Sequence, residues 1–187
     1  MTAVPADALV YPLAGLLAEP PGARRDFAFE GVGLDLGPDL ELGAPVDGRV
    51  RISRTNRGLL VNGSIRTSLA LACSRCLKPI DLGLDLRLDE EALPALDIVT
   101  GRPLDPTIEP EIVRLTDHHE IDLEPLVREA ILLAEPIAPL CRPDCPGLCP
   151  VCGESLEAGP HDHADLPIDP RLEALRAFRV DADAETG

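Results

Sequence analysis

Paired cysteines constrain this chain more than any other feature. Four of its six cysteines lie between Leu140 and His163, in L-C-R-P-D-C-P-G-L-C-P-V-C-G-E-S-L-E-A-G-P-H-D-H. They are Cys141, Cys145, Cys149 and Cys152, with His161 and His163 close behind; the other two, Cys73 and Cys76, form a C-x-x-C pair far upstream. Thiols two or three residues apart suit a tetrahedral metal site, because one short turn can aim two thiolates at a single point.

The alternative chemistry for C-x-x-C is thiol redox work, which places the pair at a helix N-terminus where the dipole lowers the first thiol's pKa. Here Pro79 and an alternating strand pattern follow Cys76, which favours metal. In C-P-V-C-G, Gly153 permits the left-handed turn that points backbone N–H groups at sulfur. Two partitions of the ligands are open. One places Cys141, Cys145, Cys149 and Cys152 in a single site and leaves Cys73 and Cys76 short of ligands. The other makes two sites, Cys73/Cys76/Cys141/Cys145 and Cys149/Cys152/His161/His163, and is preferred because it leaves no half-site.

The two-site partition closes the 64-residue gap between Cys76 and Cys141. Closure costs about 4 kcal/mol by the logarithmic loop rule, against roughly 10–16 kcal/mol returned by a structural zinc. Four thiolates on Zn²⁺ leave two negative charges, which Arg75, Lys78 and Arg142 are placed to offset. Two thiolates with two imidazoles leave none. The expected cofactor is structural zinc, one or two ions. His118 and His119 read as an exposed loop pair.

Hydrophobic period supplies the rest of the architecture. Val46, Val50 and Ile52 share one parity, with Asp47, Arg49 and Arg51 on the other; Leu59, Val61, Ile65, Leu69 and Leu71 follow, then Ile80, Leu82, Leu84, Leu86 and Leu88 against Asp81, Asp85, Arg87 and Asp89. Period two over such lengths means half-buried antiparallel strands. A four-residue turn at Thr55–Gly58 sets Ile52 opposite Val61 and Asp47 opposite Arg66, and the next hairpin sets Leu71 opposite Ile80 and Arg66 opposite Asp85. Further strands are expected at Asp26 to Glu30, continuing weakly through Val32, Leu34 and Leu36, and at Thr107 to Leu115.

Leu13, Leu16 and Leu17 suggest one short helical turn. Near 122–134, with Asp122 as N-cap, Leu123, Leu126, Val127, Ala130 and Ile131 recur at core-facing helical spacing until Pro136. A short helix is expected from Pro170 to Phe178. The fold class expected is α+β, a mainly antiparallel β-sheet or partly open barrel with one core helix and a C-terminal zinc-binding knuckle. The domain reading is 1–139 for the β-rich part, 140–179 for the zinc module and 180–187 as a disordered tail.

With 33 acidic and 17 basic residues, a formal charge of −16 argues against broad electrostatic wrapping of nucleic acid. The charge is polarised: Arg49 to Ile80 holds seven basic residues and no acid, while Asp81 to Glu124 holds thirteen acids and three Arg. Those acids mostly alternate with apolar residues, as on a solvated face. Met1 to Val10 carries no basic residue and no stretch reaches membrane-span length, so a cytoplasmic chain without membrane contact is expected. No phosphate loop, Ser/His/Asp grouping or zinc-hydrolase motif occurs, and the ligands come in fours. No enzyme and no small-molecule substrate are expected.

Cys73-Ser-Arg-Cys76-Leu, D-L-E-P-L-V-R-E-A-I-L-L-A-E-P from Asp122, the Leu140–Leu156 cysteine run and I-D-P-R-L-E-A-L from Ile168 resemble the YceD family, the large ribosomal RNA subunit accumulation proteins. Family C-x-x-C positions match Cys73 and Cys76, and the later pair matches Cys141 and Cys145. Many members carry C-x-C where this chain has His161 and His163, a departure that weakens the second site without removing it. The resemblance implies a factor for 23S rRNA accumulation and large-subunit biogenesis, with rRNA or ribosomal proteins as partners. Arg49, Arg51, Arg54, Arg57, Arg75 and Lys78 are the RNA-contact candidates, through phosphate pairing; a solvated strand face is the other reading of the same run. A zinc-stabilised interaction adaptor unrelated to ribosomes and a thiol oxidoreductase are the alternative functions.

Overall fold

The computed structural model describes residues 9–97, 100–105, 107, 109–159, 163 and 171. The chain divides into two compact units, Met1–Cys145 and Pro146–Gly187.

The first unit is built on long antiparallel hairpins. Strands β2 (Arg24–Val32), β3 (Glu41–Arg54), β4 (Leu59–Ala72) and β5 (Pro79–Leu93) pair in sequence order. The registers are those the parities require: Ile52 faces Val61, Asp47 faces Arg66, Arg66 faces Asp85 and Leu71 faces Ile80. Arg66 reaches Asp85 at 3.5 Å, while the Asp47 carboxylate takes the Gly31 N–H instead. One residue of slip would turn every apolar side chain to water, so the buried face fixes the pairing. Val46, Val50, Ile52, Leu59, Val61, Ile65 and Leu69 make that face, each no more than 2 % exposed.

The sheet is five-stranded and open, which corrects the barrel alternative. Its last strand, β6 (Val113–Arg114), is two residues long and runs parallel to β5 at Ala92 and Leu93. The longer strand expected from Thr107 does not form. Glu109 adopts a left-handed φ of 57° and residues 110–111 form a turn, so the chain leaves the edge of β5. Pro110 has no N–H to donate to a ladder. Without a fifth long strand, no described strand carries the sheet round to β2. The alternation at Leu34 and Leu36 also stops short, since β2 ends at Val32.

A second, two-stranded sheet pairs β1 (Val10–Pro12) with β7 (Glu120–Asp122), and helix α1 (Ala14–Leu17) follows β1. Helix α2 runs Glu124–Leu133 with Leu123 in the N-cap position. Asp122 lies one residue too early to be that cap, but its carboxylate still accepts the Glu124 N–H at 2.9 Å. The α2 stripe is as spaced: Leu123, Val127 and Ile131 are fully buried and Leu126 nearly so. The C-terminal helix expected from Pro170 lies almost wholly outside the described residues, as does the tail. No described helix is long and apolar enough to cross a membrane.

Gly48 shows how a hole in a strand is filled. Phe29 lies opposite it in the register, and a Cβ at Gly48 would come within 2.2 Å of the Phe29 ring. Gly48→Ala must push that 5 %-exposed ring out of the core. A loss of about 1–3 kcal/mol, the range for overpacking, is expected in urea unfolding.

Candidate metal centres

The β4–β5 hairpin turns through Cys73-Ser74-Arg75-Cys76-Leu77-Lys78. The Cys73 N–H donates to the Lys78 carbonyl and the Leu77 N–H to the Cys73 carbonyl, both at 2.9 Å, so the two thiols emerge on one side of a tight turn. The stretch after α2 docks on this tip. Ser74 N–H reaches the Pro139 carbonyl at 2.8 Å, and the Arg75 guanidinium donates to the Cys145 carbonyl at 2.9 Å. Cys141 and Cys145 are thereby brought to Cys73 and Cys76.

Cys73 Sγ lies 3.8 Å from Cys145 Sγ, and Cys76 Sγ lies 3.7 Å from Cys141 Sγ. All four sulfurs fall within 4.8 Å of one another. Metal–sulfur bonds of about 2.3 Å in a regular tetrahedron place sulfurs about 3.8 Å apart, so the cluster has the size of a four-thiolate centre. Cys73, Cys76 and Cys145 are buried and Cys141 is exposed. The electrostatics ask for a cation. Backbone N–H groups, that of Cys141 foremost, hold the Cys73 thiol down to about 6. Hydrogen bonding to Cys145 and burial lift Cys141 to about 12. One thiolate forms readily and the next is opposed by it, until positive charge arrives.

The second cluster lies within the other unit and joins Cys149, Cys152 and His163, with Cys149 Sγ 3.2 Å from His163 Nε2. Cys149 is buried and Cys152 exposed. A bridge between Leu148 and Ser155 closes the turn, and Ser155 caps the 3-10 turn Leu156–Ala158 through the Glu157 N–H. His161 lies outside the described residues. The grouping of the cysteines is that of the two-site partition.

The two turns share one backbone. In the second, the Cys149 N–H donates to the Glu154 carbonyl at 2.8 Å and the Gly153 N–H to the Cys149 carbonyl at 2.9 Å, bond for bond as at Cys73. The Val151 N–H points at Cys149 Sγ, 3.4 Å away. Gly153 has φ 76°; in the first turn Leu77 takes that place at φ 59°. Sequence reading found the glycine and missed the leucine, because a leucine after C-x-x-C carries no sign of left-handed backbone. That conformation costs a branched side chain about 1–2 kcal/mol, and Leu77, 67 % exposed, recovers little by burial. Leu77→Gly is expected to raise stability by about 1 kcal/mol in thermal or urea melts, with metal content unchanged.

The basic candidates are placed less favourably for an external ligand. Arg51 pairs with Asp26 at 2.7 Å, and this contact holds the Asp26 carboxyl below its usual range. Arg57 bridges Glu91 at 2.7 Å and Glu109 at 3.1 Å. Arg54 donates to the Gly58 carbonyl at 2.9 Å and also to Thr55, tying the β3–β4 turn. Arg75 is spent on Cys145, Lys78 lies in the Cys73–Cys76 turn, and Arg49 stands exposed on β3 opposite Ser64. Arg142 contacts Asp144 at 3.4 Å. His118 and His119, in the turn before β7, belong to neither cluster.

An open, mostly antiparallel sheet whose β4–β5 hairpin ends in a C-x-x-C turn, with a second C-x-x-C turn in the other unit, defines a cysteine-rich α+β protein. The chain belongs to the YceD family, described as the large ribosomal RNA subunit accumulation protein, whose model matches residues 61–179. Proteins of Mycobacterium tuberculosis and Mycobacterium bovis, both named as uncharacterised, are 38% identical over 145 residues, covering 77% of this chain and 66% of theirs. An uncharacterised Mycobacterium leprae protein is 34% identical over 158 residues, covering 83% of this chain and 70% of its own. The chain thus spans about two thirds of the length of the relatives it matches. No solved structure matches.

Proposed function

We propose that this chain is a non-enzymatic factor for the accumulation of large-subunit ribosomal RNA, acting in the cytoplasm, with zinc as the structural staple of both centres. The observation that carries the zinc assignment is the closed set of four thiols at tetrahedral spacing, built from two distant parts of the chain. Zinc there supplies charge neutralisation and a crosslink. Four protein ligands leave no coordination position for water or substrate, which is the reason for reading the first centre as structural. The ribosomal role is supported by the family match, whose residues 61–179 take in the ligands of both clusters.

The partners proposed are large-subunit rRNA or ribosomal proteins. Internal use of Arg51, Arg54, Arg57 and Arg75 weighs toward a basic protein, because each would have to give up a partner to bind phosphate. The adaptor reading unrelated to ribosomes draws on the same observation. Metal analysis of the purified protein, alongside sucrose-gradient sedimentation of a cell extract, decides between them. Two zinc ions per chain and migration with precursor large subunits are expected. A zinc-loaded protein that stays at the top of the gradient would leave the adaptor reading in its place.

A further inference from the structure

Among the described residues, strand β5 is unpaired along most of one edge. It pairs with β4 from Pro79 to Ala92, but on its other side β6 meets only Ala92 and Leu93. From Ile80 to Glu91 no described strand takes that side. A long unpaired edge is a template for another chain, and proteins ordinarily blunt it with a bulge, an internal proline or a cover. No register shift interrupts β5, and its one proline, Pro79, is its first residue.

Burial along the same strand is incomplete. Ile65 and Leu69 on β4 are fully buried, yet their ladder partners Leu86 and Leu82 are only partly covered, as are Ile80 and Leu84. Helix α2 runs beside this edge and leaves a groove lined by Leu86, Leu88, Leu126, Ala130 and Leu133, with Glu90 and Glu129 on its rim. Leu126, Ala130 and Leu133 are spaced i, i+4, i+7 and so share a helix face. Leu126 is 8 % exposed and Leu133 is 79 % exposed. The apolar stripe continues to the exposed Leu133, which one more strand beside β5 would cover.

The charges select the occupant. Asp81, Asp85, Asp89 and Glu91 lie on the opposite face of β5, where Arg87 is the strand's own cation and Arg57 already pairs with Glu91. Asp85 is shared with Arg66, and Asp89 accepts the Asn62 amide at 2.7 Å. Asp81 makes no ion pair among the described residues. Two-fold pairing with a second copy, in a register that keeps the leucines together, would set these acids mostly against one another, and like charges directly opposite destabilise a sheet. A strand alternating Lys or Arg with apolar residues meets both demands.

We propose that the open edge of β5 binds an extended basic segment of another protein by strand addition. Its main chain completes the sheet, its apolar side chains enter the groove beside α2, and its cations, on the opposite face, meet Asp81, Asp85 and Asp89. The ribosomal reading bears on this only by saying where such a segment is met.

The test uses the full zinc-loaded chain and a dye-labelled synthetic peptide alternating Lys and Val, followed by fluorescence anisotropy. Saturable binding is expected, about tenfold weaker to Asp81→Lys/Asp89→Lys and lost when the peptide amides are N-methylated. Ala130→Trp, which fills the groove, provides a second variant, and circular dichroism verifies that both fold. Undiminished binding of the N-methylated peptide, or equal binding of a Glu/Val peptide, would overturn strand addition. So would a mixed-sequence RNA oligomer that binds and is lost in the same variants. If peptide binding holds while the chain does not sediment with precursor subunits, the ribosomal reading falls and the docking edge stands; the reverse result removes the edge alone.

Discussion

Cys145→Ser is expected to halve the zinc content, from two ions per chain to one, and to cost about 4 kcal/mol or more in chemical unfolding. Cys145 is 1 % exposed and faces Cys73 at 3.8 Å. A serine hydroxyl in its place stays protonated and is a poor ligand, so the first centre loses its fourth donor. The staple between the hairpin tip and the segment after α2 goes with it. The loop-closure entropy that the metal offset, about 4 kcal/mol, then counts against the folded chain. The second centre has all its described ligands in the other unit and should keep its ion. Plasma mass spectrometry beside urea titration measures both quantities. Retention of two zinc ions by the variant would contradict the four-thiol assignment.

The next largest effect is expected at Ile131. Its side chain is fully buried on α2, and truncation to Ala leaves a cavity costing about 2–5 kcal/mol. The loss should also be felt at the metal, since α2 leads into the segment that delivers Cys141 and Cys145. Faster zinc release from the first centre to a chelator is expected, with release from the second unchanged. Leu132→Ala, one residue on and 40 % exposed, is the control and should stay within about 0.5 kcal/mol of the parent. Equal effects of the two variants would mean that α2 does not position the ligands.

What could be read in advance follows from what is local or periodic. Alternation fixed the faces of β3, β4 and β5, and a short turn at Thr55–Gly58 then fixed the registers, because parity admits no half-step. The ligand grouping came from counting, since fours must be filled. Long-range geometry could not be read. The Asp26 and Glu91 partners of Arg51 and Arg57 lie 25 and 34 residues away, so a basic run looked available that the fold in part uses internally. The shortness of β6 depends on a left-handed Glu109 and on Pro110 leaving an edge, neither of which alters the hydrophobic pattern of Thr107 to Leu115. The left-handed Leu77 is imposed by the hydrogen-bonded C-x-x-C turn against its own preference.

The twin turns differ in when they can be completed. Cys149 and His163 are 14 residues apart, whereas Cys76 waits for Cys141, 65 residues further on. During vectorial synthesis the β4–β5 hairpin emerges with two thiols and no counterpart. At about 5–20 residues per second the missing pair follows roughly 3–13 seconds later. Over that interval the tip of the nascent sheet is a two-thiol claw. It offers two of the four thiols of the first cluster until the segment after α2 arrives to close over it.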